Sequence, residues 1–359
     1  MKISRRLTAV IFVALLALVG VSLYQQYNAV GPTSPWHPTT PYPLQTSGES
    51  GVAGQPCVLD NQSVVCVGGQ DFTDSPNSAV YSAPLTAGGL GNWTSEGAYP
   101  TTIMFQPCVS YGGFVYCVGG SYDGTADDVA FAYFAPLTSS GVGGWKDTTP
   151  YPVPADSQAC VASSGYIYCL GGENETAGTN ATAAYSNSAW YAPINSSGIG
   201  VWNKTTAYPQ DAFFPSCAGF QTYLYCLGGE TSGGSPLNTA YFATLSPGGI
   251  GEWQTTTAYP FQGAGQDCIT SSEYIYCIGG WTGGTSYAGS MYYAPISPSG
   301  IGTWDEAAAY PLGLTTSCVA GLLGDIYCVG GYQGSSGQTD ASYYGLITVQ
   351  PTVVKSNST

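Results

Sequence analysis

Trp36-His37-Pro38-Thr39-Thr40-Pro41-Tyr42-Pro43 matches Trp145-Lys146-Asp147-Thr148-Thr149-Pro150-Tyr151-Pro152 at six of eight positions. The second of these stretches belongs to a repeating unit, and the first is a fragment of the same unit at the other end of the chain. The unit is marked by a Gly-Gly doublet closing an apolar run, at Gly68-Gly69, Gly119-Gly120, Gly171-Gly172, Gly228-Gly229, Gly279-Gly280 and Gly330-Gly331. Successive doublets lie 51, 52, 57, 51 and 51 residues apart, a period that marks repeated supersecondary units. After each of the first five come a Tyr/Ala-Pro or Tyr/Ala-Thr run, a turn, a Trp (Trp93, Trp145, Trp202, Trp253, Trp304) and a Tyr-Pro. The sixth unit stops after Ser342-Tyr343-Tyr344-Gly345-Leu346-Ile347, and Trp36 to Pro43 supplies what it lacks.

Each unit reads as four short strands. Strand A carries a first cysteine, B is the Tyr-Ile-Tyr-Cys type of run before the glycines, C is the Tyr-Ala-Pro run and D begins at the Trp. Aromatic and β-branched enrichment between closely spaced turn residues supports strands throughout. No segment after residue 24 carries a helical period. A unit split between the two ends of the chain makes sense only if the ends meet. The fold expected is therefore a closed all-β ring of six four-stranded blades. Its seam is an ordinary sheet ladder that leaves no exposed edge.

Gly-Gly after an apolar strand, followed by Tyr and then Trp at this period, resembles the kelch repeat over residues 36–347. The resemblance implies a six-bladed β-propeller of the kelch and galactose-oxidase type. Two features depart from the family pattern. Cysteines stand in strands A and B where aliphatic residues are usual, and a Ser-Gly-Ile-Gly turn lengthens the connection from C to D.

The cysteines pair off as Cys57/Cys66, Cys108/Cys117, Cys160/Cys169, Cys217/Cys226, Cys268/Cys277 and Cys318/Cys328. A two-residue turn at Ser164-Gly165 or Gly112-Gly113 makes the partners nine apart directly opposite, in non-hydrogen-bonded register. Such partners have Cα atoms about 4.5 Å apart, within reach of a disulfide. The last pair is ten apart, and a three-residue loop with Gly324 in left-handed conformation keeps the parity. Six disulfides inside the blades follow. The spacing fits no zinc site.

Residues 7–23 form an uncharged apolar run behind Lys2, Arg5 and Arg6. They read as a signal-anchor or signal peptide, with 24–35 as a linker and 348–359 as a C-terminal tail. Either reading exports the remainder. Paired cysteines agree with an oxidising compartment. So do seven glycosylation sequons, at Asn61, Asn92, Asn174, Asn180, Asn195, Asn203 and Asn357. The exported portion keeps three lysines and no arginine against all 21 acids, a net of −18. That balance excludes nucleic acid as a partner. With few ion pairs to lose, such a domain should tolerate acid, which points to an acidic or harsh extracellular setting.

Function is expected on the face where the B–C and D–A loops open, because the B–C loops differ most between units. The B–C loops carry Asp71, Phe72, Asp74, Tyr122, Asp123, Asp127, Asp128, Glu173, Glu175, Glu230, Trp281 and Tyr332. The D–A loops add Asp156, Asp211, Phe213, Phe214 and Asp267. Carboxylates beside flat rings suit a carbohydrate, accepting hydroxyl hydrogen bonds while rings stack on sugar faces. The same acids also read as a solvated rim. Asp123, Asp127 and Asp128 match no EF-hand loop, and no cofactor, metal or catalytic residue is assigned.

Sialidases share the six-bladed ring but use an arginine cluster, absent from the exported portion. Galactose oxidase implies copper held by histidines, and His37 is the sole histidine. The expectation is a non-catalytic surface module, membrane-attached through residues 7–23, whose partner is a glycan or cell-surface protein. The alternatives are a carbohydrate-active enzyme using a carboxylate pair and a structural component of an envelope.

Overall fold

The computed structural model describes residues 36–346, apart from 47, 61, 123–126, 175–183 and 322–323. The segment read as anchor or signal, and the tail, lie outside the described residues. Within them the chain is almost wholly β, with one short 3-10 turn at Gly334–Ser336. No described helix is long and apolar enough to cross a membrane.

Among the described residues the six large antiparallel sheets are each built from strands A, B, C and D in that order. In the third blade they are Ala159–Ser163, Tyr166–Leu170, Ala189–Asn195 and Asn203–Lys204. Strand A of each blade touches strand A of its neighbours all around the ring, so the A strands line the axis. The seam closes as the repeat pattern requires. His37–Pro38 pairs antiparallel with Tyr344 and Tyr343 of the last C strand, the register that Lys146 and Asp147 adopt against Phe134 and Tyr133. The D strands are two residues long and mostly exposed, several carrying charge (Lys146-Asp147, Asp305-Glu306), which blunts the outer edge against further pairing.

The core lies between blades. Strand B is sandwiched on both faces and reads as a continuous apolar run; in Tyr166–Leu170 only the first residue is partly exposed. One apolar layer joins Tyr116 and Phe134 of blade two to Ile167, Ile194 and Trp202 of blade three. The Trp and Tyr-Pro motifs are halves of one contact. Each motif Tyr meets the next blade's Trp edge to face, with centroids 4.8 Å apart for Tyr99–Trp145 and 5.1 Å for Tyr151–Trp202. The seam completes the circle with Tyr310–Trp36 at 4.9 Å and Tyr42–Trp93 at 5.1 Å. Such pairs contribute about 0.5–1.5 kcal/mol each beyond the area they bury.

The Ser-Gly-Ile-Gly turn is a further latch. It forms a small hairpin in which Ile194 pairs with Ile199, and Ile199 docks on Thr148 and Thr149 of the preceding blade. The same clamp recurs at Leu90, Ile250 and Ile301. The Gly-Gly doublets answer a similar demand. Gly119 and Gly120 have φ of 67° and 102°, and the Gly120 N–H donates to the Ala155 carbonyl of the next blade at 2.8 Å. A Cβ on Gly119 would lie 2.3 Å from that same oxygen, so a side chain there would part the blades.

All six disulfides are present, with partners directly opposite in the A–B ladder and Cα atoms 4.1 Å apart. The two-residue turn falls at Ser164-Gly165 (φ 51° and 81°), and Gly324 takes φ 89° in the longer sixth loop. Free cysteines are absent among the described residues.

Candidate functional site

Short ladders connect the D–A loop of a blade to the start of its own B–C loop. Asp156 bridges Glu173, Phe213 bridges Glu230 and Ala264 bridges Trp281. Residues some 17 positions apart in sequence thereby become neighbours on one face. Phe213, Glu230, Ala264 and Trp281 from these ladders help line a pocket of about 440 Å³ on that face. Phe105, Phe213 and Phe214, joined by ring contacts, form an aromatic wall, and Trp281 and the Tyr287–Tyr332 pair add further rings to the lining. Asp74 and Glu230 add carboxylates, and Gln55 and Gln70 add amides.

The aromatic wall is held under backbone strain. Phe105 and Phe214 have φ of 58° and 50°, a left-handed conformation that costs a bulky residue about 1–3 kcal/mol. Gly54 and Gly265 take the equivalent place in two other blades with φ of 61° and 63°. The Phe105 and Phe214 rings meet edge to face at 5.4 Å. Phe105 also lies over Gly54, where an added Cβ would come within 2.5 Å of its ring. Phe213 packs on Phe214 at 4.3 Å and stacks on Tyr185 at 4.9 Å and 15°.

Behind that wall the Tyr185 hydroxyl donates to the Glu230 carboxylate. Burial, then the charges of Glu230 and Glu173, push the Tyr185 phenol up to about 12. Burial raises the Glu230 carboxyl above the usual range, and the Tyr185 hydrogen bond offsets part of the rise. Asp74 has φ of 60° and accepts a 2.7 Å hydrogen bond from Gln338.

The structure thus brings Asp74, Phe213, Phe214, Glu230, Trp281 and Tyr332 to one pocket, with Asp156 and Glu173 near it through Tyr185. The remaining candidates sit elsewhere. Asp71 is buried and organises its own loop, accepting from the N–H groups of Thr73 and Ser75. Phe72 and Tyr122 are exposed outside the pocket, Asp211 is exposed, and Asp128 is buried. The backbone of Asp127 pairs with Tyr122. Asp123, Glu175, Asn61 and Asn180 lie outside the described residues. Asn92, Asn195 and Asn203 are exposed, and Asn174 is half-buried in a loop ladder. Sequence reasoning missed Phe105, Tyr185 and Tyr287. Aligning the repeats would have found Phe105, which precedes its cysteine by three residues as Phe214 does.

Asp267 belongs to strand A of blade five, not to a loop. Its carboxylate accepts the N–H of Cys318 in blade six. Ser216 and Ser317 make the same link to Cys268 and Cys57. Burial pushes the Asp267 carboxyl up to about 7, against the hydrogen bonds from Cys318 and Cys268. Its ionised form is therefore penalised in the fold. The stability it contributes is full below pH 3.8, its ordinary value, and is lost as pH rises toward 7. The loss amounts to at most about 4 kcal/mol. Thermal unfolding should show a Tm that holds or rises as pH drops from 8 to 5, and Asp267→Asn should flatten that dependence. A Tm falling steeply between pH 7 and pH 4 would contradict this.

Fold and pocket together define a six-bladed β-propeller with an acidic, aromatic axial site on its loop face. Among solved structures, that of YjhT is similar, with a TM-score of 0.67 at 13% identity over 84% of this chain and 95% of that one. At that identity the likeness shows the fold alone. No protein-family model matches the sequence, and no curated protein matches it either.

Proposed function

We propose that the protein is a non-catalytic binding module of the cell exterior that holds a glycan in the axial pocket. Six disulfides indicate an extracellular or secreted protein, and we assign residues 7–23 the role of its membrane attachment. Within the propeller fold we assign the repeats to the kelch type, on the Gly-Gly, Tyr and Trp pattern. Exposed Asn92, Asn195 and Asn203 on the outer blades and hairpins suit glycosylation that leaves the axis open.

The observation that carries the binding reading is the pair of strained phenylalanines. Glycine would fill the Phe105 and Phe214 positions without strain, as it does at Gly54 and Gly265. The repeat holds this place left-handed in five blades, Ser157 with φ of 53° included; bulky rings are kept there in the two blades where they line the open pocket, and a cost borne at such a place supports a ligand. Phe105→Gly should change stability by no more than about 1 kcal/mol, because relief of the left-handed strain offsets lost ring contacts. The same change should abolish retention on a glycan array. Retention unchanged in that variant would overturn the reading.

A second reading, a carbohydrate-active enzyme, has one observation in its favour. Glu230 is a desolvated carboxyl with a raised pKa beside Tyr185, a group poised to donate a proton. Cleavage of a retained glycan, abolished by Glu230→Gln, would establish that reading over binding alone.

A further inference from the structure

We infer that the occupant of the axial pocket carries a protonated amine, and that it is an oligosaccharide with unacetylated amino sugars. This rests on the glycan-binding reading and narrows it by charge. The pocket wall presents the carboxylates of Asp74 and Glu230 from two sides of the axis, blade one and blade four. Asp156 and Glu173 stand close enough to act on Tyr185 behind Glu230. Among the described residues the cationic side chains are Lys146 and Lys204, with His37 as the one imidazole. All three lie on D strands at the outer edge, on the far side of each blade from the axis. Among the described residues the charge at the pocket is therefore negative with no cationic side chain beside it, and low-dielectric walls focus such a field toward a ligand of opposite sign.

The aromatic walls select in the same direction. A cation over a ring face is attracted by the ring quadrupole, most strongly by Trp, and Trp281 lines the pocket together with Phe213 and Phe214. Burial opposes the charge on Glu230. An ammonium group supplies both the counter-charge and donors for a charge-assisted bond, whereas a sugar hydroxyl supplies only a donor. N-acetylation removes that charge, and a sugar carboxylate would be repelled. Neighbouring sugar rings keep the stacking surfaces of Trp281, Tyr287 and Tyr332.

The test is calorimetric titration of the full chain with glucosamine tetramer and with N-acetylglucosamine tetramer at pH 6 and low salt. The free amine should bind at least about tenfold more tightly, as expected of a charge-assisted over a neutral bond. Added salt should narrow the gap, and Glu230→Gln should remove most of it while leaving Tm within about 2 °C. Equal affinity, or tighter binding of the acetylated tetramer, would overturn the amine inference and leave glycan binding standing. Failure of both tetramers to bind would overturn both. A lysine-rich peptide binding as tightly as the glucosamine tetramer would overturn the assignment of the ammonium to a sugar.

Discussion

A chain that begins at residue 44 should lose cooperative unfolding altogether. The eight residues from Trp36 to Pro43 provide the outer strand of blade six, through His37 and Pro38 against Tyr344 and Tyr343. They also provide two of the ring's aromatic latches, Trp36 on Tyr310 and Tyr42 on Trp93. Thr39 and Thr40 clamp Leu90 of blade one. Without them the first and last blades lose most of what holds them to each other, and the last C strand becomes an exposed edge. The milder change Trp36→Ala removes one large buried side chain and should cost about 3–5 kcal/mol. Calorimetry distinguishes the outcomes. A truncated protein that still melts in a single transition within about 5 °C of the intact one would show that the seam does not hold the ring.

Full reduction of the disulfides should have an effect of the same order. Each bridge closes a loop of about ten residues, which in the chain-entropy account stabilises by about 2–3 kcal/mol. The bridges lie in separate blades, so their losses add. Six of them together amount to about 12–18 kcal/mol, as large as the whole net stability of an ordinary domain, about 5–15 kcal/mol. The strand B cysteines, Cys66, Cys117, Cys169, Cys226, Cys277 and Cys328, are each 0% exposed. Reductant alone should therefore act slowly, and mild denaturant should speed it. A single pair removed, as Cys160→Ala with Cys169→Ala, should cost about 2–3 kcal/mol without unfolding the protein. A reduced sample with all thiols titrated and an unchanged Tm would refute a stabilising role.

The ring, its seam and the cysteine pairing were legible because each follows from local periodicity. A two-residue turn fixes which residues face one another across a hairpin, so the Cys160–Cys169 register could be counted from the turn. The duplication of Trp36–Pro43 fixed the closure in the same way. The latches were legible only as unexplained motifs. Thr148-Thr149 and the Ser-Gly-Ile-Gly turn recur in sequence, but that one grips the other across a blade boundary is visible only in three dimensions.

The pocket divides along the same line. Residue type and loop placement sufficed to nominate Phe213, Phe214, Glu230, Trp281, Tyr332 and Asp74, because the loop face of the ring was already implied. They did not separate these from Asp267, whose carboxylate ties blade five to blade six, or from Asp71, which folds its own loop. Whether a carboxylate meets a ligand or a backbone N–H depends on which strand of which neighbour lies opposite. Tyr185 was missed for the same reason, since it stacks on Phe213 of the next blade. Phe105 was within reach of a repeat alignment with Phe214, but its place over Gly54 of another blade was not.

By itself, then, the sequence determined the repeat, the ring and its cross-links, since these depend on spacing and strand alternation within about fifty residues. The tertiary structure decided which acids and rings converge at the axis. That convergence depends on how neighbouring blades are rotated and latched, and no pattern local to the chain encodes it.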